Sequence, residues 1–336
     1  MLELKQLDSI PDGLLNASPQ SLHSLLPHPT IIHLAGKNPQ PLFVSVLLHG
    51  NEPTGFLAIQ ALLKKYQQRQ LPRSLSIFFG NTLAASKGLR RLDNQPDFNR
   101  IWPNTELAPC AETRLAAEIV DVMKQRNIFA SIDIHNNTGL NPHYACLNRL
   151  DNQYIQLATL FSRLVVYFLR PKGVQSGAFA PICPAVTLEC GRPNQKHGTD
   201  HAFEYLDSCL HLSELADHPV VPQDLDLFHT VALVKVPADI KFSFDDPNAT
   251  LLLDKEIERM NFTEIPAGTI LGKVNNGGQI PLIAQEENGN IVTNEFFDIQ
   301  NNELQIRRKT MPSMLTLDER VIQQDCLCYL MERIHL

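Results

Sequence analysis

Over residues 30–216, short apolar runs alternate with stretches whose apolar positions recur every three or four residues. The first kind of pattern fits buried strands and the second fits amphipathic helices. It predicts strands at 30–34, 42–48, 75–80, 129–135, 143–147, 164–169 and 185–190, and helices at 54–68, 105–125, 153–162 and 199–216. Strands this apolar must be covered on both faces, which implies an α/β fold with a mixed central sheet flanked by helices. The pattern changes at HPVVPQDLDLF, where two prolines and two aspartates mark a boundary. Beyond it, short alternating runs at 229–236, 240–244, 270–274 and 291–296 predict a smaller C-terminal all-β domain. The closing stretch LDERVIQQDCLCYLMERIHL has helical periodicity. The expected organisation is a first domain over 1–220 and, over 221–336, a β domain with a terminal helix.

Composition narrows the class of function. The 336 residues are 43% hydrophobic and 19% charged, enough to bury sizeable cores. A net charge of −7 argues against nucleic acid or an anionic membrane as the main partner, while leaving room for a small anionic substrate in one basic pocket. There are seven cysteines and no CxxC pair, which points to reduced, buried thiols and a cytoplasmic protein. The N-terminal stretch has no signal-peptide pattern, and no apolar run is long enough to span a membrane. Self-association is left open by the sequence.

Four stretches place polar side chains where apolar strands end, the position at which functional groups gather in open α/β sheets. In LLHGNEPTG, His49 ends a strand and Glu52 precedes a helix. Imidazole and carboxylate suit zinc, though a helix start with Glu52 near its dipole would look the same. In SIDIHNN, Asp133 and His135 are two apart on a strand and so share a face. Buried there, they must be paired or metal-bound: either an Asp–His hydrogen bond within a core, or His135 as a ligand with Asp133 orienting it. In VTLECG, Glu189 closes an apolar strand and is either a solvent-facing edge residue or a working base. GLRRLDNQPDFNR carries three arginines, either a solvated face or an anion clamp.

Taken in order, HGNEPTG, GLRRLDNQPDFNR, IDIHNNTG and VTLECG resemble the aspartoacylase/succinylglutamate desuccinylase family, a branch of the zinc carboxypeptidase clan. The resemblance spans roughly residues 30–215, and the β segment after 225 fits the family's C-terminal domain. It implies a zinc carboxypeptidase-like fold and one Zn2+ per chain held by His49, Glu52 and His135. Glu189 would be the general base and acid for the water that zinc activates. Arg90 would polarise the scissile carbonyl, although Arg91 beside it leaves open which arginine does so. Asn99 and Arg100 would bind a substrate carboxylate. The implied activity is hydrolysis of the amide bond of a small carboxylate-bearing N-acyl amino acid. The alternatives are a metallocarboxypeptidase or amidase acting on peptides, and a non-catalytic relative.

Overall fold

A computed structural model describes residues 2–275 and 277–335. The chain forms two compact units. The first runs up to Asn136 and resumes over His143–Asp226; the second comprises Asn137–Pro142 and the residues from Leu227 on.

The first unit contains strands β1 (Lys5–Leu7), β2 (Thr30–Leu34), β3 (Gly36–Val46), β4 (Leu71–Phe79), β5 (Ala130–His135), β6 (Tyr144–Leu147), β7 (Leu164–Tyr167) and β8 (Ala185–Glu189). Their order across the sheet is β1-β2-β4-β3-β5-β8-β6-β7. β4, β3, β5 and β8 run parallel, whereas β2 against β4 and β6 against β8 are antiparallel, so the sheet is mixed as expected. The helices are α1 (Leu22–Leu25), α2 (Thr54–Lys65), α3 (Thr82–Ser86), α4 (Ala111–Gln125), α5 (Asn152–Thr159), α6 (Gln175–Phe179) and α7 (Lys196–His211).

The register fixes where chemistry can occur. Asp133 pairs with Ser45 on one side and Thr187 on the other, and His135 pairs with Glu189. The ends of β3, β5 and β8 therefore lie side by side, and three of the four polar stretches meet there.

The four expected helices all form with shifted boundaries; those expected at 54–68 and 153–162 end three residues early, at Lys65 and Thr159. The helix expected from 105 begins at Ala111, because the Thr105 hydroxyl bonds back to the Arg100 carbonyl and Pro109 interrupts the approach. The helix expected from 199 begins at Lys196 and ends at His211.

The second unit holds two sheets. One contains β9 (Asp226–Lys235), flanked by β13 (Ile283–Gln285) and β17 (Cys328–Arg333), with β16 (Met311–Ser313) outside β17. The other has the order β10 (Phe242–Ser243), β11 (Leu251–Leu253), β12 (Ile270–Val274), β15 (Glu303–Ile306), β14 (Phe297–Gln300). A core including Phe242, Leu251, Phe296, Phe297 and Leu304 is buried among them.

The terminal helix is corrected. Only Glu319–Gln324 (α9, following α8 at Thr293–Phe296) is helical. Asp325 leaves helical geometry at φ −131°, ψ −85°, and Cys328–Arg333 pairs as a strand with β9 and β16. Cross-strand pairing overrides the local 3.6-residue pattern there. The strand expected at 291–296 is replaced by the short helix α8 and the strand β14.

Candidate metal centre

The turn from β3 to α2 is shaped by close backbone approach. Leu47 takes a left-handed conformation (φ 56°), and the Asn81 amide bonds its carbonyl at 2.7 Å. A Cβ on Gly50 would lie 2.2 Å from the Ala85 nitrogen, so only glycine lets the turn press against α3. The Asn136 side-chain oxygen accepts from the Thr54 amide at 3.2 Å and so caps α2 from outside the helix. Pro53 and Thr54 then lead straight into α2, which holds Glu52 in place.

The result is a buried group of donors. His49 Nδ1 is 2.9 Å from Glu52 Oε1, and His135 Nδ1 is 2.7 Å from Glu52 Oε2 and 3.1 Å from His49 Nδ1. The three ligand atoms lie within 4.8 Å of one another. Each imidazole is held on its far side by a carboxylate. His49 Nε2 meets Asp97 Oδ1 at 2.8 Å, and His135 Nε2 meets Asp133 Oδ2 at 2.7 Å. The carboxylates are held in turn. Ser45 Oγ donates to Asp133 at 2.6 Å, and the Asn99 amide donates to Asp97 at 2.7 Å. The Asn136 amide donates to Glu52 Oε2 at 3.1 Å.

These contacts set the charge states. Burial opposes charge on both histidines, joined at His49 by the Arg90 guanidinium. The facing carboxylates outweigh both effects, raising His49 above its ordinary range and His135 well above it. Burial likewise opposes charge on Glu52 and Asp97, yet the histidines, and at Asp97 also Arg90, hold both carboxyls down. Two imidazole nitrogens and a carboxylate, each imidazole oriented by a second carboxylate, form a donor set suited to zinc.

The arginine loop is anchored by apolar burial. Phe98, Ile101 and Trp102 are buried, and the Trp102 indole donates to the Phe98 carbonyl at 2.9 Å. Burying a ring of that size is worth about 4–6 kcal/mol before entropy. The intervening polar residues are thereby held at the site. Arg90 donates to Asp97 Oδ2 at 3.0 Å and to Glu52 Oε1 at 3.3 Å. Arg91 instead bonds the carbonyls of Leu92 and Gln95 in its own loop. Asn99 lies 3.2 Å from His135 Nε2 and accepts from the Gln175 amide at 2.9 Å. Arg100 is partly exposed and donates to the Asn99 carbonyl at 2.8 Å.

Glu189 is 8% exposed and stands one strand over from His135. Burial, and then its carboxylate, hold the neighbouring Cys146 and Cys190 thiols well above their ordinary range. The structure thus brings His49, Glu52, Asp133, His135, Arg90 and Asn99 together, with Glu189 closing the next strand, whereas Arg91 turns to its own loop and Arg100 donates to the Asn99 carbonyl. Sequence reasoning missed Asp97, Ser45 and Asn136. The only signal for Asp97 was its place two residues before Asn99.

Residues 40–192 match the family model described as the succinylglutamate desuccinylase/aspartoacylase catalytic domain, a span that includes His49 through Glu189. Solved structures resemble the chain at low identity. The succinylglutamate desuccinylase from Chromobacterium violaceum is 17% identical with a TM-score of 0.58, over 90% of this chain and 86% of that one. Murine aminoacylase 3 is 14% identical with a TM-score of 0.58, over 89% of this chain and 97% of that one. The product-bound ectoine utilization protein from Ruegeria pomeroyi is 14% identical with a TM-score of 0.55, over 91% of this chain and 88% of that one. These likenesses establish the fold. No curated protein matches the chain significantly. Among the described residues, no helix is long and apolar enough to cross a membrane.

Proposed function

Because residues 40–192 belong to the succinylglutamate desuccinylase/aspartoacylase catalytic-domain family, we propose that this protein is a zinc-dependent hydrolase of small N-acyl amino acids. The observation that carries the reading is the His49–Glu52–His135 donor set with Asp97 and Asp133 behind its two imidazoles. Those three residues would hold one zinc ion. When bound, the ion supplies Lewis acidity and brings the pKa of water toward about 7.

The remaining work belongs to the chain. Glu189, beside His135, takes a proton at its carboxylate and returns it to the departing nitrogen, which an amide needs because the amine leaves poorly as an anion. Arg90 reaches the cluster through Nη1 and polarises the scissile carbonyl. Arg100, with Asn99, binds a substrate carboxylate and holds the amide in place, worth several kcal/mol in lost freedom avoided. The partner is therefore a small carboxylate-bearing amide. All seven cysteines are free thiols, which supports a reducing, cytoplasmic setting.

The test is a panel of N-acyl amino acids assayed beside short peptides, with wild type and Glu189→Gln. Glu189→Gln should keep its metal and lose about 10²–10⁴ in turnover. Normal turnover in that variant would remove the general-base role. Cleavage of peptides in preference to every acyl amino acid would overturn the substrate class.

A further inference from the structure

Three histidines that take no part in the metal centre meet one another at the start of α7. His197 and His201 are four residues apart on α7 and therefore share a face of the helix. His143 comes from the segment just before β6. Its Nδ1 lies 2.8 Å from His201 Nδ1, and its ring stacks on His197 with centroids 5.3 Å apart and planes 14° apart. Phe161 stacks on His201 at 4.3 Å and gives the group an apolar backing.

The chemistry of this cluster differs from that of an ordinary buried histidine. Among the described residues, the histidine ion pairs are those of His49, His135 and His229, not of these three, although the Glu204 carboxylate acts on His201 against the effect of burial. Burial, followed by His201 and His197, pushes the His143 pKa down to about 4, so its imidazole is neutral near pH 7 and has a lone pair to offer. Burial lowers His201 as well. Neutral imidazole is the form that binds metal. Two imidazole Nδ1 atoms facing each other is also the arrangement in the metal centre, where His49 and His135 oppose at 3.1 Å.

We propose that His143, His201 and His197 form a second metal site, selective for a borderline divalent transition ion such as Zn2+, Ni2+ or Cu2+. An all-imidazole donor set favours these ions over magnesium or calcium. Seating one between the two Nδ1 atoms, now 2.8 Å apart, needs their separation to open to about 3.4 Å, as two bonds of about 2.1 Å at a tetrahedral angle require. His197 is exposed, so its side chain can turn to supply the third nitrogen.

The site is weaker than the metal centre. There, each far nitrogen is held by a carboxylate, whereas His143 Nε2 is buried with no partner among the described residues. Such support is typically worth 10–100-fold in affinity. Occupancy would also reach the end of β8. An added Cβ on Gly191 would lie 3.1 Å from His143 Nε2, and one on Gly198 of α7 would lie 2.4 Å from the Cys190 carbonyl. The three-histidine group thus packs on the two residues that follow Glu189, and an ion there would fasten α7 to that strand end.

The full chain, stripped by chelator, is titrated with ZnCl2 alone and with CuCl2 alone, reading stoichiometry by calorimetry and Cu2+ ligation by paramagnetic resonance. Wild type should show two classes of site, the weaker with nitrogen hyperfine structure. His201→Ala should lose only the weaker class and His135→Ala only the tighter. His197→Ala, a change at an exposed position that leaves the fold undisturbed, should weaken the weaker class about tenfold or more. A single class abolished by His135→Ala overturns the proposal. So does a weaker class that survives unchanged in His201→Ala and His197→Ala.

Discussion

His135 Nε2 lies 2.7 Å from Asp133 Oδ2, two residues earlier on the same strand. Strand alternation puts both side chains on one face, and the carboxylate accepts the Nε2 proton, so that once Nδ1 gives up its own proton its lone pair is turned toward Glu52 and His49. Ser45, paired with Asp133 in register, fixes that carboxylate from the neighbouring strand. Asp133→Ala should therefore lower zinc affinity about 10–100-fold with the three ligands intact. Competition against a chromophoric chelator measures it, and wild-type affinity in this variant would show that the imidazole is oriented by something else.

Arg90 neutralises two buried carboxylates at once, Asp97 and Glu52. Arg90→Met leaves both without that cation, and breaking a buried pair from one side costs about 3–5 kcal/mol. The expected loss is largest in metal-free protein and smaller once zinc supplies positive charge beside Glu52. Urea unfolding of wild type and variant, each with and without metal, separates the two cases. An equal loss in both states would mean that Arg90 serves the loop rather than the cluster.

Much of this candidate centre could be read in the chain because its residues sit at element boundaries. His49 and Glu52 mark a strand-to-helix junction, Asp133 and His135 obey strand alternation, and Glu189 interrupts an apolar run. Each is a local departure from a local pattern. Asp97 is different. It lies in an irregular loop, and its approach to His49 depends on Trp102 and Phe98 being buried elsewhere in the unit, which periodicity does not encode. The same limit applies to Asn137–Pro142, which leaves the first unit directly after Asn136 and bonds within the second through Asn141 and Met314. At the C-terminus, the helical periodicity misleads because Cys326 to Met331 has no polar alternation to mark a strand, and pairing with β9 decides its conformation.

The raised histidines give the metal a pH dependence of definite sign. In metal-free protein, a group whose folded pKa lies above its unfolded 6.5 adds stability that is complete below 6.5 and fades as pH rises through the folded value. Zinc needs those imidazoles neutral, so its contribution grows over the same interval. The difference in Tm between zinc-loaded and chelator-treated protein should widen as pH rises above 6.5 and through the raised folded values. Thermal scans across that range check it. A gap that is flat, or that narrows with rising pH, would mean that protons and metal do not compete for His49 and His135.

Gly50 lies between His49 and Glu52, and the space it leaves is filled by backbone. A Cβ there would meet the Ala85 nitrogen at 2.2 Å, the Ala84 carbonyl carbon at 2.4 Å and the Leu89 oxygen at 2.7 Å. None of these can swing aside as a side-chain tip could, so Gly50→Ala must push the turn away from α3, at a cost of about 1–3 kcal/mol. Displacing the turn moves both ligands that flank it and strains the Gly50 amide's bond to the Arg90 carbonyl, now 3.0 Å. Loss of zinc should then exceed what general destabilisation explains. Gly36→Ala supplies the comparison, since its Cβ would also meet backbone, the Arg73 carbonyl carbon at 2.2 Å, but at the start of β3 rather than its end. Both variants should melt lower than wild type, while only Gly50→Ala should fall well below wild type in zinc affinity. If the two lose zinc equally, the turn is not what brings His49 and Glu52 together.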